Sequence, residues 1–137
     1  METEGVFAFD TVEEARAAYE RMGPAAQTVV RETAKAMEFD REEYESRVTG
    51  DVVETARDAL FASLLEVSIG TDDEFEAWRE RHDYEVVVAG SDEVDHVVWH
   101  AAPFAGEAAA ATFQNEREAA VDTLRRQAFG RLYRDRL

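Results

Sequence analysis

The sequence predicts an α+β fold, with a helical N-terminal half packed against a small antiparallel sheet and a long C-terminal helix. Two patterns predict it. Cap residues followed three positions later by glutamate precede helical apolar patterns in both halves, whereas the strand patterns, a β-branched run at Tyr84–Ala89 and an alternation at Val94–Ala101, lie in the second half. The five cap pairs are Thr11–Glu14, Asp40–Glu43, Asp51–Glu54, Thr71–Glu74 and Asn115–Glu118. The 137 residues fit one domain, 1–137, which can bury one ordinary core.

The N-terminal half is predicted to form four helices. The first runs from about Val12 to Met22, after which Gly23 provides a left-handed stop and Pro24 the first position of the second helix. Asp40 and Asp51 open the third and fourth. The residues predicted to face the core are Ala15, Ala18, Tyr19 and Met22, then Ala26, Val29, Val30, Thr33 and Met37, then Tyr44 and Val48, and finally Val52, Val53, Ala56, Ala59, Leu60, Ser63 and Leu64.

The second half begins with a predicted strand at Leu64–Ile69, followed by a helix that Thr71 caps. That helix carries Phe75, Trp78 and His82 on one side. Tyr84–Ala89 and Val94–Ala101 read as strands around an acidic hairpin turn. In the latter strand two side chains face one way, Val97 and Trp99, and three the other, His96, Val98 and His100.

The last third of the chain leaves one element open. Residues 107–113 are predicted as a third strand or as helix, because the alanine run at 108–111 favours helix. Asn115 then caps a closing helix that extends to about Asp135. Its inward residues are predicted to be Val121, Leu124, Ala128 and Leu132.

The charge of the chain indicates its solvent more than its chemistry. Thirty-one acidic residues face 15 basic ones, of which only Lys35 is a lysine, giving a net charge of −16. A small domain needs only about 2–8 charges for solubility, and concentrated salt screens the excess repulsion. A GC-rich genome explains arginine and alanine but not the surplus of carboxylates. We therefore expect a protein adapted to high salt. With no basic and apolar leader and no long apolar run, we expect it in the cytoplasm and not in a membrane.

Several kinds of chemistry find no support in the residues. The absence of cysteine excludes disulfides, thiolate catalysis and cysteine-based metal sites. No glycine-rich phosphate loop and no nucleophile elbow is present. Nucleic acid is disfavoured as a partner, because the basic residues between 24 and 65 are diluted by acidic ones. We expect no cofactor, and no catalytic residue can be assigned.

Histidines supply the weak metal candidates, His96 and His100. On a strand they share a face but lie roughly 13 Å apart, which is too far for one ion. The interpretation as ordinary sheet-face histidines is favoured. An alternative function nevertheless follows from them: an enzyme or small-ligand binder with a pocket near His96, Trp99 and His100.

The C-terminal segment is the only basic part of the chain. Residues 123–137 contain Arg125, Arg126, Arg131, Arg134 and Arg136 against Asp135, a net charge of +4 where the other residues carry −20. Cations at the end of a helix complement its dipole, which is the structural interpretation. The functional one is an interaction surface made of Arg125, Arg126, Phe129 and Tyr133, facing an acidic partner, a second copy or RNA, although an aromatic pair of this kind more often belongs to the core.

Four stretches together resemble a small family of acidic haloarchaeal proteins of unknown function, namely GPAAQTVVRETAKAMEFDREEY, ARDALFASLLEV, VDHVVWHAAPFA and TLRRQAFGRLYRD. The resemblance covers nearly the whole chain and implies a salt-in cytoplasm. It brings no activity, ligand or site residue. The sequence therefore predicts a non-enzymatic interaction or regulatory domain that self-associates through its C-terminal helix.

Overall fold

The α+β class predicted from the sequence is confirmed in a computed structural model, which describes all 137 residues. Six α-helices and five strands follow one another along the chain. The helices are α1 (Val12–Arg21), α2 (Gly23–Ala36), α3 (Arg41–Arg47), α4 (Gly50–Ser63), α5 (Asp72–Arg81) and α6 (Arg117–Ala128). The strands are β1 (Glu2–Glu4), β2 (Val67–Thr71), β3 (Glu85–Ala89), β4 (His96–Ala102) and β5 (Glu107–Phe113). A π-helical segment, Phe129–Tyr133, and a 3-10 turn, Arg134–Arg136, follow α6.

The strands form one sheet in the order β1-β2-β4-β5-β3. It is mixed rather than antiparallel as predicted, because β3 runs parallel to β5. The expected hairpin between β3 and β4 does not form. Strand β4 instead pairs with β5 over seven residues and with β2 over four, so both of its edges are occupied. The remaining edge of β5 is the place left for β3.

The two faces of the sheet bury two apolar clusters. One face packs against α6, α1 and α4, with Phe61, Leu65, Val98 and Leu124 in its core. The other packs against α5, where Phe75, Trp78, Val97 and Trp99 meet. The predicted inward residues of the C-terminal helix, Val121, Leu124, Ala128 and Leu132, are all buried, which confirms that pattern. None of the helices has the length and apolar character that crossing a membrane requires.

Three of the five predicted caps are confirmed. Thr11, Asp40 and Thr71 each accept a hydrogen bond from the backbone N–H three residues later. The other two predictions were wrong. Helix α4 is capped by Thr49 instead of Asp51, and α6 begins after Glu116 with no side-chain cap from Asn115.

Gly23 does not provide the predicted left-handed stop. It is the first residue of α2 and lacks a positive φ, which among the glycines only Gly5, Gly90 and Gly106 show. A Cβ at this position would meet only the end of the Arg57 side chain of α4, which is flexible and can move aside, so the packing of α2 against α4 does not by itself require glycine.

The N-terminal helices bury a different set of residues from the one predicted. Helix α2 turns Ala26, Val30 and Ala34 inward but leaves Val29 and Met37 exposed. Helix α3 buries nothing. In α4 the buried residues are Phe61 and Ala62, while Val52 and Ala59 remain exposed. The three helices thus present apolar side chains outward.

Candidate interaction surface

The aromatic residues predicted for the interaction surface lie in the core. Phe129 is 3% exposed and Tyr133 is 0% exposed. Their ring centroids lie 5.7 Å and 5.5 Å from that of Phe61. The expectation that they project as a ridge is wrong, because the π-helical segment continues the inward stripe of α6 and buries both together with Leu132.

The two arginines predicted beside that ridge separate into different environments. Arg125 is half-buried, and its Nε donates to the Leu65 carbonyl at 2.9 Å, which ties α6 to the segment just before β2. Arg126 is exposed beside Asp122 and Ser63 in a shallow hollow of about 250 Å³. Arg125 is therefore engaged within the fold, whereas Arg126 is open to solvent.

His100 is part of a buried hydrogen-bonded chain. Its Nδ1 lies 2.6 Å from the Glu66 carbonyl, which can only accept, so Nδ1 carries the proton. Its Nε2 therefore accepts from the Tyr133 hydroxyl at 2.6 Å. Burial lowers the pKa of His100 to about 4, which the Arg125 charge reinforces and the bond to Glu66 opposes. Burial also raises the pKa of Tyr133. The pair is neutral at pH 7, and both imidazole nitrogens are already engaged.

The pocket predicted near His96, Trp99 and His100 is not assembled. Trp99 packs on the α5 face, whereas the two histidines lie on the opposite face. His96 stacks on Phe113 with ring centroids 5.4 Å apart. The main surface hollows are lined by other residues.

No group of three or more His, Asp or Glu side chains is arranged to hold a metal ion. His96 Nδ1 and Trp99 Nε1 are buried without a hydrogen-bond partner, and nothing in the structure explains them.

A polar hollow of about 410 Å³ lies between α1, α4 and the C-terminus. In it the Tyr19 hydroxyl donates to Asp58 at 2.6 Å, and the Arg57 guanidinium lies 4.9 Å from the Tyr19 ring centroid. Burial, with the hydrogen bond to Asp58, raises the pKa of Tyr19 to about 12. A phenol in this state stays protonated at neutral pH, so the cluster holds α1 against α4 and offers no anionic nucleophile.

The most apolar hollow of the surface lies between α2, α3 and α4, and we call it the α2–α4 face. It encloses about 400 Å³. Helix α2 contributes one stripe at a spacing of four residues, Val29, Thr33 and Met37. Its lining residues are Val29, Val30, Thr33, Ala34, Met37, Phe39, Arg47, Val48, Val52, Thr55, Ala56 and Ala59.

The few polar groups of this face are satisfied locally. Thr33 donates to the Val29 carbonyl at 2.7 Å, and Thr55 donates to the Asp51 carbonyl at 2.9 Å. Each hydroxyl is thus bonded to its own helix, four residues back. Arg47 is the one charged lining residue, and its guanidinium lies 5.4 Å from the Phe39 ring centroid. The face therefore offers apolar contact without unmet polar groups.

Sequence reasoning missed this face because it assigned every apolar helical stripe to the core of the chain itself. The pattern is the same for a stripe that packs internally and for one that meets a partner. A signal was nevertheless present in α2, whose apolar residues make two adjacent stripes. One is Ala26, Val30 and Ala34, and the other Val29, Thr33 and Met37. Together the two stripes form an apolar surface wider than packing against one neighbouring helix needs.

Comparison with known proteins gives a family but no function. A family model described as a family of unknown function (DUF5809) matches residues 6–134. No curated protein matches the chain. No solved structure matches it either.

Proposed function

The chain belongs to the family of unknown function DUF5809, and we propose that it is a non-enzymatic interaction domain that pairs with a second copy through the α2–α4 face. One observation carries the proposal. Of the 12 residues lining the face only Arg47 is charged, although 34% of the chain is charged. Twelve residues of average composition would include about four charges. Contiguous exposed apolar surface of this kind is typical of protein–protein contacts.

Self-pairing fits the charge of the molecule. Two chains of −16 can meet at this face without burying carboxylates, because its lining contains none. A two-fold axis would set the stripes of α2 and α4 against the same stripes of the second copy, which is the packing of a four-helix bundle. High salt screens the repulsion between the rest of the two surfaces.

The size of the face predicts a weak dimer. Each helix of 14 residues is about 21 Å long, and neighbouring helices lie about 10 Å apart. Because α2 and α4 lie side by side, the two helices together cover a footprint on the order of 400 Å². This is about half of the area that each partner buries in a stable complex. We therefore propose an association that depends on protein concentration, as suits a regulatory domain.

The experiment compares molar mass by light scattering in molar potassium chloride at increasing protein concentration. The wild type should approach twice the chain mass of 15.5 kDa, and Met37→Glu should stay at the chain mass. Val6→Glu is the matched control, because Val6 is 70% exposed and Met37 58% exposed. This control should behave as the wild type. A wild type that is monomeric throughout would contradict the proposal.

A further variant, Arg126→Glu, separates this proposal from the predicted contact through the C-terminal helix. Contact through Arg125 and Arg126 stays a prediction. If Arg126→Glu lowers the mass and Met37→Glu does not, the C-terminal helix is the interface and the α2–α4 face is not. The expected result is the reverse.

We also propose that the domain works in the concentrated salt of a haloarchaeal cytoplasm. Six of the 31 carboxylate side chains lie within 4 Å of a cationic group, which leaves 25 without such a partner. Surface repulsion on this scale destabilises the folded chain unless ions screen it. The unpaired carboxylates support this proposal.

A further inference from the structure

The two edges of the sheet are protected differently. On β1, Arg117 forms ion pairs with Glu2 and Glu4 at 2.6 Å and 2.7 Å. Charged side chains on an edge strand oppose pairing with a further strand. Strand β3 lies at the other edge and pairs with β5 alone. Its sequence, EVVVA, has no charge after Glu85, and Val87 and Val88 are 41% and 39% exposed. An apolar strand with a free edge is therefore open to solvent.

The register of β3 shows which of its backbone groups are free. Glu85 N–H donates to the Gly106 carbonyl, in register with β5. In a parallel pair alternate residues bond to the neighbouring strand, so Glu85, Val87 and Ala89 face β5. The N–H and C=O groups of Val86 and Val88 point away from the sheet, where a further strand can pair with them.

Three arginine side chains, Arg131, Arg134 and Arg136, line the surface next to the free edge of β3. Two adjoining hollows of about 490 and 270 Å³ share Val87 and Arg131. Arg134 lines the first and Arg136 the second, where Glu85 and Glu107 also lie. None of the three arginines has a carboxylate within 4 Å, in a chain of 31 acidic residues. The Arg136 side chain donates to the Leu132 carbonyl and lies over the Phe104 ring, and the Arg134 guanidinium lies 5.5 Å from the Phe129 ring centroid. The side chain of Arg131 makes no hydrogen bond or ion pair.

We infer that the free edge of β3 binds an extended acidic segment of another protein by strand addition. Its backbone pairs with Val86 and Val88, and alternate carboxylate side chains lie over Arg131 and Arg134. The site does not depend on the α2–α4 dimer.

The observations favour this occupant over two others. A second copy pairing through β3 would bring two arginine-lined hollows together, and like charges would face each other across the contact. A nucleic acid would satisfy the arginines but offers no alternating N–H and C=O groups to the strand. An acidic peptide supplies both the backbone pairing and the opposite charge.

The test is fluorescence anisotropy with a labelled peptide of about eight residues that alternates glutamate and valine, a length typical of strands. It uses the lowest salt at which circular dichroism shows the wild type folded, because salt weakens the charge pairs. The peptide should bind, and its lysine–valine counterpart should not. The double change Arg131→Glu with Arg134→Glu should weaken binding at least about tenfold. Arg126→Glu, which lies outside these hollows, should not weaken it.

A backbone variant separates strand addition from simple charge attraction. Val88→Pro removes an outward N–H, and an edge strand tolerates proline there without loss of a bond to β5. With its fold verified by circular dichroism, this variant should also lose binding. Unchanged binding in the double arginine variant, or in a folded Val88→Pro, would overturn the inference. So would a labelled single-stranded oligonucleotide that displaces the peptide and binds more tightly than it does.

Discussion

The chain of Glu66, His100 and Tyr133 shows how one buried polar group fixes its neighbours. A buried imidazole is tolerated because both of its nitrogens have partners, the Glu66 carbonyl and the Tyr133 hydroxyl. These bonds connect β4 to the π-helical segment after α6. The sequence indicated the face on which His100 lies, but not its partners, because Tyr133 is 33 residues away and the contact depends on how α6 packs.

Removing the Tyr133 hydroxyl should destabilise the protein. Tyr133→Phe leaves His100 Nε2 buried without a donor, which costs about 1–3 kcal/mol of unfolding free energy. Urea unfolding in molar potassium chloride measures it. Tyr44→Phe is the control, because Tyr44 is exposed and should change stability little. Equal stability of Tyr133→Phe and wild type would contradict this expected loss.

Stability should also fall in mild acid because of His100. Its pKa is about 4 in the folded chain against an ordinary value of 6.5. Between pH 6.5 and 4 the unfolded chain binds a proton that the folded chain does not, so the unfolding free energy decreases as the pH falls. The full interval corresponds to about 3 kcal/mol. NMR titration of the folded protein should show the His100 ring neutral at pH 5. A ring that titrates near pH 6.5 would contradict the account.

At the scale of elements, local signals predicted helices well and strand pairing poorly. Thr11, Asp40 and Thr71 were identified as caps because the side-chain oxygen and the backbone N–H that donates to it are three residues apart. Strand β3 pairs with β5 because the other strands leave that edge of β5 free. A local sequence pattern cannot predict which edge remains free. Strand β1 was missed because Glu2–Glu4 has no apolar residue to mark it.

The alanine run of β5 shows tertiary structure overriding propensity. Ala108 to Ala111 favour helix by composition, yet they form a strand between β4 and β3. All four are buried. Small side chains on both faces let α6 and the Trp99 cluster pack closely against the sheet, and this packing outweighs the propensity difference.

Two cap variants test the structure against the sequence pattern, which predicts both Thr71 and Asn115 as caps, whereas of the two only Thr71 caps a helix in the structure. Thr71→Ala should cost about 1 kcal/mol, because Thr71 and Glu74 form a reciprocal capping box. Asn115→Ala should cost little, since Asn115 caps nothing in the structure. Urea unfolding of both variants decides the matter. A larger loss for Asn115→Ala than for Thr71→Ala would contradict this account and show that Asn115 caps α6.

At the scale of the whole molecule, two properties stand out: a large negative charge with few ion pairs, and an exposed apolar surface at the α2–α4 face. The net charge could be read from the sequence, and the prediction that the folded chain needs screening ions follows from it. The α2–α4 face could not, because its exposure depends on how α2 and α4 pack against each other. That the 137 residues act as one domain stays a prediction.

Salt should control folding of the whole chain. The unfolding temperature should rise from dilute buffer to molar potassium chloride, as the Debye length shrinks to about 3 Å and repulsion among unpaired carboxylates weakens. Differential scanning calorimetry should show a single transition at each salt concentration. An unfolding temperature as high in dilute buffer as in molar salt would contradict the proposed salt adaptation.

Spin-label distances between copies test the central proposal most directly. The chain has no cysteine, so Val52→Cys and Ala77→Cys each accept a single nitroxide. Val52 lies on the α2–α4 face, and Ala77 lies on α5 across the sheet. Because facing helices lie about 10 Å apart, we predict a distance below about 30 Å between labels at position 52 and a longer one at position 77. No coupling at position 52, or a shorter distance at position 77, would contradict a dimer through this face.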